Sequence, residues 1–182
     1  GLVTVAGGKY TTYRVMAADA VDVAVKELPE PVPPSRTQFV PLAGAGGFRE
    51  AWADREKIAA SAGLDPAVVT HLLRRHGALT YEVLDLVAAD PSLAAKVHPE
   101  ATYLAAELVH AASHEDARHL DDLLVRRTRL ALETRDGARS VAARVARLVA
   151  PVLGWDDDRI EDEVAQFAAA GYGRVPLGGR TS

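Results

Sequence analysis

Gly7-Gly8-Lys9-Tyr10-Thr11-Thr12-Tyr13-Arg14 separates two stretches of different period. Before it stands Leu2-Val3-Thr4-Val5, apolar and β-branched, which reads as a buried strand. After it, Val15, Ala18, Val21, Ala24, Val25 and Leu28 mark one face of a helix over roughly residues 12–28. Two glycines therefore fall where a strand passes into a helix. Glycine allows a sharp turn and the close approach of a ligand. The free amides of a first helical turn attract an anion or a carbonyl oxygen, and Lys9 adds a full charge there. An ordinary strand–turn–helix connection fits the same residues, so both readings stay open at this level. Two nucleotide motifs are excluded. A P-loop needs Gly-x-x-x-x-Gly-Lys-Ser/Thr, but Val3 stands five before Gly8 and Tyr10 follows Lys9. A dinucleotide fingerprint needs Gly-x-Gly-x-x-Gly, which Lys9 breaks.

Further along, Pro29, Pro31, Pro33 and Pro34 end the first helix and open a Pro/Gly-rich linker over residues 29–47. Its centre, Thr37-Gln38-Phe39-Val40-Pro41-Leu42, suits a short edge strand. Gly44, Gly46 and Gly47 imitate a dinucleotide fingerprint, but Arg49 takes the third glycine position, so they read as turn residues. From Phe48 the pattern is helical. One helix runs from Phe48 to Ala62 and stops at Gly63. Asp65-Pro66 starts the next, with Val68, Val69, Leu72 and Leu73 inward and Gly77 as its end. Helices follow over residues 80–89, 101–114, 120–132, 138–153 and 160–170, with turns at Pro91, Pro99, Asp136-Gly137 and Gly154. This predicts an all-α, antiparallel helical bundle over residues 48–170 and a disordered tail over 171–182.

Composition narrows the function. With 182 residues the chain can bury a real core, and with 5% aromatic residues that core is built from Ala, Val and Leu. A net charge of −4 argues against nucleic acid as a partner. The helix after His71–His76 carries Glu82 and Asp85 and no basic residue, unlike a DNA-recognition helix. There is no cysteine, hence no disulfide framework or thiolate chemistry. Only four of the 21 basic residues are lysine, which makes Lys9 the unusual choice and any single arginine a weak pointer to phosphate.

Among the polar residues, His110 and His114 share a helix face with Glu107 one turn earlier, a spacing that suits a metal. Structural hydrogen bonding is the reading favoured for them, and no metal site is expected. His114-Glu115 does not begin the zinc-protease motif, because Arg118 holds the second histidine's place. Arg127 is expected to pair with Glu107, Asp121 or Asp122, leaving Arg126 and Arg129 solvated. Asp156, Asp157 and Asp158 suit a helix amino terminus.

Two motifs carry a family resemblance. Gly-Gly-Lys-x-x-Thr-Tyr-Arg-x-x-Ala, met by residues 7–17, resembles the second signature of FAD-dependent glycerol-3-phosphate dehydrogenases. Ala106-Glu107-Leu108-Val109-His110-Ala111-Ala112-Ser113-His114-Glu115, with Leu120-Asp121-Asp122-Leu123-Leu124 and Arg126-Arg127-Thr128-Arg129-Leu130, resembles the C-terminal-domain motif of the same family. The resemblance implies that residues 1–28 close an α/β FAD-binding domain, with strand, turn and helix as its last piece. Residues 29–47 would link it to the helical C-terminal domain at 48–170, and the chain would be the C-terminal part of a longer enzyme, inactive alone. It implies oxidation of sn-glycerol 3-phosphate to dihydroxyacetone phosphate, with FAD as cofactor and a quinone as acceptor; some branches use oxygen. Intact members are cytoplasmic and peripheral at the membrane's cytoplasmic face. Gly7, Gly8, Lys9, Tyr10 and Thr11 would lie beside the flavin. Lys9 would act in catalysis by stabilising negative charge on the reduced ring or by reaching the substrate's oxygens. The His-Glu of the second motif would be structural. The helices would cover the enzyme's own FAD domain or join subunits in a homodimer. The alternative is a non-catalytic all-α interaction domain without cofactor.

Overall fold

A computed structural model describes residues 2–173. The chain divides into two compact units, Gly1–Gly46 and Gly47–Ser182.

In the first unit, a 3-10 turn at Tyr10–Thr12 leads into α1 (Tyr13–Ala24), and a second 3-10 turn at Val25–Glu27 ends it before Pro29. The strand expected at Leu2–Val5 does not form. A strand needs a partner for its ladder, and among the described residues no neighbour supplies one. The edge strand expected near Thr37–Leu42 is instead a 3-10 turn, Thr37–Phe39, where the Thr37 amide donates to Ser35 Oγ at 3.4 Å, a local alternative to strand pairing. The apolar stripe of α1 is not inward-facing: Val15, Val21 and Leu28 are exposed, and no described residue of this unit is buried.

The second unit is all-α. The expected single helix over residues 48–62 is broken at Asp54 into α2 (Phe48–Ala53) and α3 (Arg55–Ala62). Asp54 leaves the helical region at φ −93°, ψ 8° and serves as the cap of α3. Gly63 ends α3 at φ +65°, where a side chain would be strained. The Asp65 carboxylate accepts the Ala67 amide at 2.7 Å, and Pro66 opens α4 (Pro66–His76). Val69, Leu72, Leu73 and His76 form its buried face; Val68 is half-buried. Then come α5 (Thr80–Ala89) and α6 (Ala105–His114). The helix expected over 120–132 is divided: a π-helical turn spans Asp122–Arg127, and α7 covers only Leu130–Glu133. Thr128 is the cause, since both its amide (3.0 Å) and its hydroxyl (2.6 Å) donate to the Leu123 carbonyl five residues back. Finally, α8 (Arg139–Leu153) and α9 (Asp157–Ala169) follow, with Asp156 Oδ1 accepting the Arg159 amide at 2.8 Å.

The core gathers around α6 and α8. Leu108 and Ala111 from α6 meet Val141, Val145 and Val149 from α8, with Leu120 just before the π turn, Leu123 and Leu124 within it, and Phe167 from α9. A smaller cluster joins Leu72, Val83, Val87 and Leu104, and a third joins Ala51, Ala59, Val69 and Leu73. Ala138, fully buried, holds φ +61°; Thr134 Oγ1 and Asp136 Oδ1 both accept its amide, at 2.8 and 2.9 Å, and keep it there. No helix of the described residues is long and apolar enough to cross a membrane. The tail expected to be disordered lies mostly outside the described residues.

Candidate functional site

The residues singled out at the start of the chain all lie in the first unit. Gly7 and Gly8 both take left-handed backbone, φ +80° and +98°. They differ in what surrounds them. A Cβ on Gly7 would stand in open space, whereas a Cβ on Gly8 would lie 2.1 Å from Met16 Sδ. Gly8 suits its left-handed backbone, and the end of the Met16 side chain fills the space beside it. Gly7 leaves room for something to approach. Lys9 is extended at φ −97°, ψ 143° and caps the 3-10 turn; its carbonyl accepts the Thr12 amide and the Thr12 hydroxyl, both at 2.9 Å. Its side chain, Tyr10 and Thr11 are exposed. The structure thus brings Gly7, Lys9, Tyr10 and Thr11 together at one exposed helix start. The first-turn amides, an ammonium and an open glycine fit a carbonyl oxygen or an anion.

The second motif builds a buried polar centre. Glu107, at 2% exposure, stands in the first turn of α6 and reaches back to accept the Leu104 amide at 2.8 Å. From α4, His71 Nε2 lies 3.2 Å from both of its oxygens, His76 Nε2 3.3 Å from Oε1, and Arg75 Nε 3.2 Å from Oε1. Burial would raise the Glu107 carboxyl, but the hydrogen bonds from His71, His76 and Leu104 outweigh it and hold it at about 2. Burial would lower His76; its hydrogen bonds to Glu107 and Glu115 prevail and raise it. The carboxylate therefore fastens α4 to the start of α6. Glu163 does the same for α9: it is buried and accepts the Leu120 amide at 2.8 Å and bonds His119 Nδ1 at 2.8 Å.

The arginines pair otherwise than the sequence suggested. Arg127 turns to Glu115, donating to its carbonyl at 2.9 Å with its carboxylate at 3.8 Å, because Arg75 already occupies Glu107. Arg126 is not solvated alone but pairs with Asp122 at 2.8 Å, and Tyr172 takes Asp121 at 2.9 Å. His114 stays exposed, stacked 4.8 Å from His110, with Nδ1 2.7 Å from Ser113 Oγ. Sequence reasoning missed His71, Arg75 and His76. The available signal was the place of His76 on the inward stripe of α4, with His71 and Arg75 flanking it.

An all-α domain organised by buried carboxylates is the class this fold defines. Residues 35–160 match the family described as the C-terminal domain of alpha-glycerophosphate oxidase, and the chain belongs to that family. Among curated proteins it is 47% identical over 169 residues to glycerol-3-phosphate dehydrogenase 2 of Mycobacterium tuberculosis, covering 93% of this chain and 29% of that protein. It is 47% identical, with the same coverage, to glycerol-3-phosphate dehydrogenase of Mycobacterium leprae. It is 33% identical over 168 residues to the mitochondrial glycerol-3-phosphate dehydrogenase of Bos taurus, covering 90% of this chain and 23% of that protein. The chain thus spans less than a third of the length of these relatives. No solved structure matches.

Proposed function

We propose that this chain is the C-terminal part of a flavoenzyme that oxidises sn-glycerol 3-phosphate to dihydroxyacetone phosphate. The observation that carries the reading is 47% identity across 93% of the chain to a protein named for that dehydrogenase activity. Residues 1–28 end the FAD-binding domain, 29–47 form the link, and 48–170 form the helical domain that packs on the enzyme's own FAD domain or on a second subunit. The intact enzyme works as a peripheral protein at the cytoplasmic face of the membrane and hands electrons to a quinone.

Gly7, Gly8, Lys9, Tyr10 and Thr11 are the residues that would hold the flavin's edge. The open space beside Gly7 and the exposed first-turn amides support that fit. A bound FAD supplies hydride acceptance. The helix start contributes partial positive charge and Lys9 a full one, so negative charge arriving at this edge is stabilised. Glycine at position 7 keeps the backbone close to whatever lies there.

The test is Lys9→Met in the full-length enzyme. Turnover falls by roughly one to three orders of magnitude, or about 1.4 to 4 kcal/mol at roughly 1.4 per factor of ten. FAD stays bound and the flavin potential becomes more negative. If Lys9 only clamps substrate, its loss raises KM and leaves the potential of the free enzyme alone. Near-wild-type kinetics and potential together remove Lys9 from the site.

A further inference from the structure

His76 closes α4 and His110 sits on α6, their rings edge to face with centroids 5.3 Å apart. Each ring has one nitrogen committed to a carboxylate: His76 Nε2 to Glu107 at 3.3 Å, and His110 Nε2 to Glu82 at 3.0 Å. An ionised carboxylate only accepts, so in a neutral ring Nε2 carries the proton and Nδ1 presents a bare lone pair. Both Nδ1 atoms face the same oxygen, Glu115 Oε1, each at 3.7 Å. With both rings neutral, three acceptors thus converge with no donor among them. His110 Nδ1 has no hydrogen-bond partner, although its side chain is only 1% exposed.

A positive centre between them resolves the conflict. A proton on one ring satisfies one Nδ1 and leaves the other bare. Protons on both place two imidazolium rings 5.3 Å apart, beside Arg75 and Arg127. A divalent ion satisfies all three atoms at once. The three lie within 4.8 Å of one another, and bonds of about 2.0–2.1 Å to a tetrahedral ion set ligands roughly 3.3 Å apart, so closure draws the atoms together by up to about 1.5 Å. Imidazole and carboxylate suit a borderline ion. The Glu107 and Glu82 carboxylates hold the rings by their far nitrogens, the arrangement that fixes tautomer and orientation in metal-bound histidines.

We propose that His76 Nδ1, His110 Nδ1 and Glu115 Oε1 form a site for a divalent cation of the Zn2+ class that clasps the end of α4 to the end of α6. Glu107 and Glu82 are its outer partners. Glu115, 31% exposed, is the side from which the ion enters and where water completes the coordination. Glu82, Glu107 and Glu115 face Arg75 and Arg127, so the empty cluster with neutral rings keeps one net negative charge. His114, which sequence spacing pairs with His110, lies outside the cluster.

The test uses the purified 182-residue chain, stripped with a chelator and titrated with Co2+. The expected result is a visible absorption band saturating at one equivalent, displaced by Zn2+, with a Zn2+-dependent rise in Tm. Glu82→Gln, at an exposed residue, weakens binding by about 10- to 100-fold. Glu115→Gln weakens it further, and His114→Ala leaves it unchanged; circular dichroism checks that each variant is folded. His110→Ala, at a buried position, serves only if it folds. The absence of stoichiometric Co2+ binding overturns the proposal and leaves the cluster to protons. Equal affinity in wild type and Glu115→Gln, or loss of binding in His114→Ala, overturns it too.

Discussion

The two units use the same helical grammar and reach opposite results. Both α1 and α8 carry apolar residues at helical spacing. In α8, Val141, Val145 and Val149 are buried; in α1, Val15 and Val21 are exposed by more than half. Thirteen of the sixteen large hydrophobic residues exposed among the described residues lie in Gly1–Gly46. Amphipathic periodicity tells which face of a helix is apolar. It does not tell what covers that face. The second unit covers its own, and the first unit's described residues do not.

The contrast has measurable consequences. The largest concerns the shared core. Leu108→Ala removes a fully buried side chain between α6 and α8 and costs about 2–5 kcal/mol, read as a lower urea midpoint. A loss below about 1 kcal/mol breaks the claim that this cluster carries the domain. A smaller effect comes from Asp136. Burial would raise its carboxyl, but hydrogen bonds from Ser140, Thr134 and Ala138 hold it at about 2, below its ordinary 3.8. Its folded value is the lower one, so its stabilisation is complete above about pH 4 and is lost as pH falls towards about 2. Replacing the acceptor, Asp136→Ala, costs about 1 kcal/mol at neutral pH and flattens the urea midpoint in that acid window; an unchanged acid slope refutes the assignment. The smallest effect sharpens the other side. Val21→Ser, on the exposed face of α1, shifts the chain's stability by less than about 0.5 kcal/mol. A loss of several kcal/mol there shows that the stripe is covered after all.

Much of the second unit was legible because its punctuation is local. Asp65-Pro66, Gly77, Asp136-Gly137 and Gly154 lie where α4, α8 and their neighbours start or stop, and each acts through its own backbone. The break at Asp54 and the π turn were not legible, since nothing in the 3.6-residue pattern marks a cap inside a continuous stripe or a threonine that reaches five residues back. The polar centre was half legible. Glu107 and His110 stood out by spacing along one helix, but His76 reaches them from 31 residues away and Arg75 displaces Arg127 as the partner. Those are choices made by helix packing, which a one-dimensional pattern does not hold. At the chain's start the Gly-Gly turn was legible as backbone chemistry, while the strand before it depends on a neighbour that sequence cannot supply.

Met16 gives the Gly-Gly turn a redox reporter. It is the chain's one methionine, and there is no cysteine to compete for an oxidant. Its sulfur packs on Gly8, in the place a Cβ would occupy. Conversion to the sulfoxide adds a polar oxygen to a thioether packed on Gly8. Mild peroxide should therefore mark a single position and disturb the turn that presents Lys9, leaving the helices from α2 onward chemically untouched. Oxidative wear on this chain would reach the Gly-Gly turn through α1, from behind.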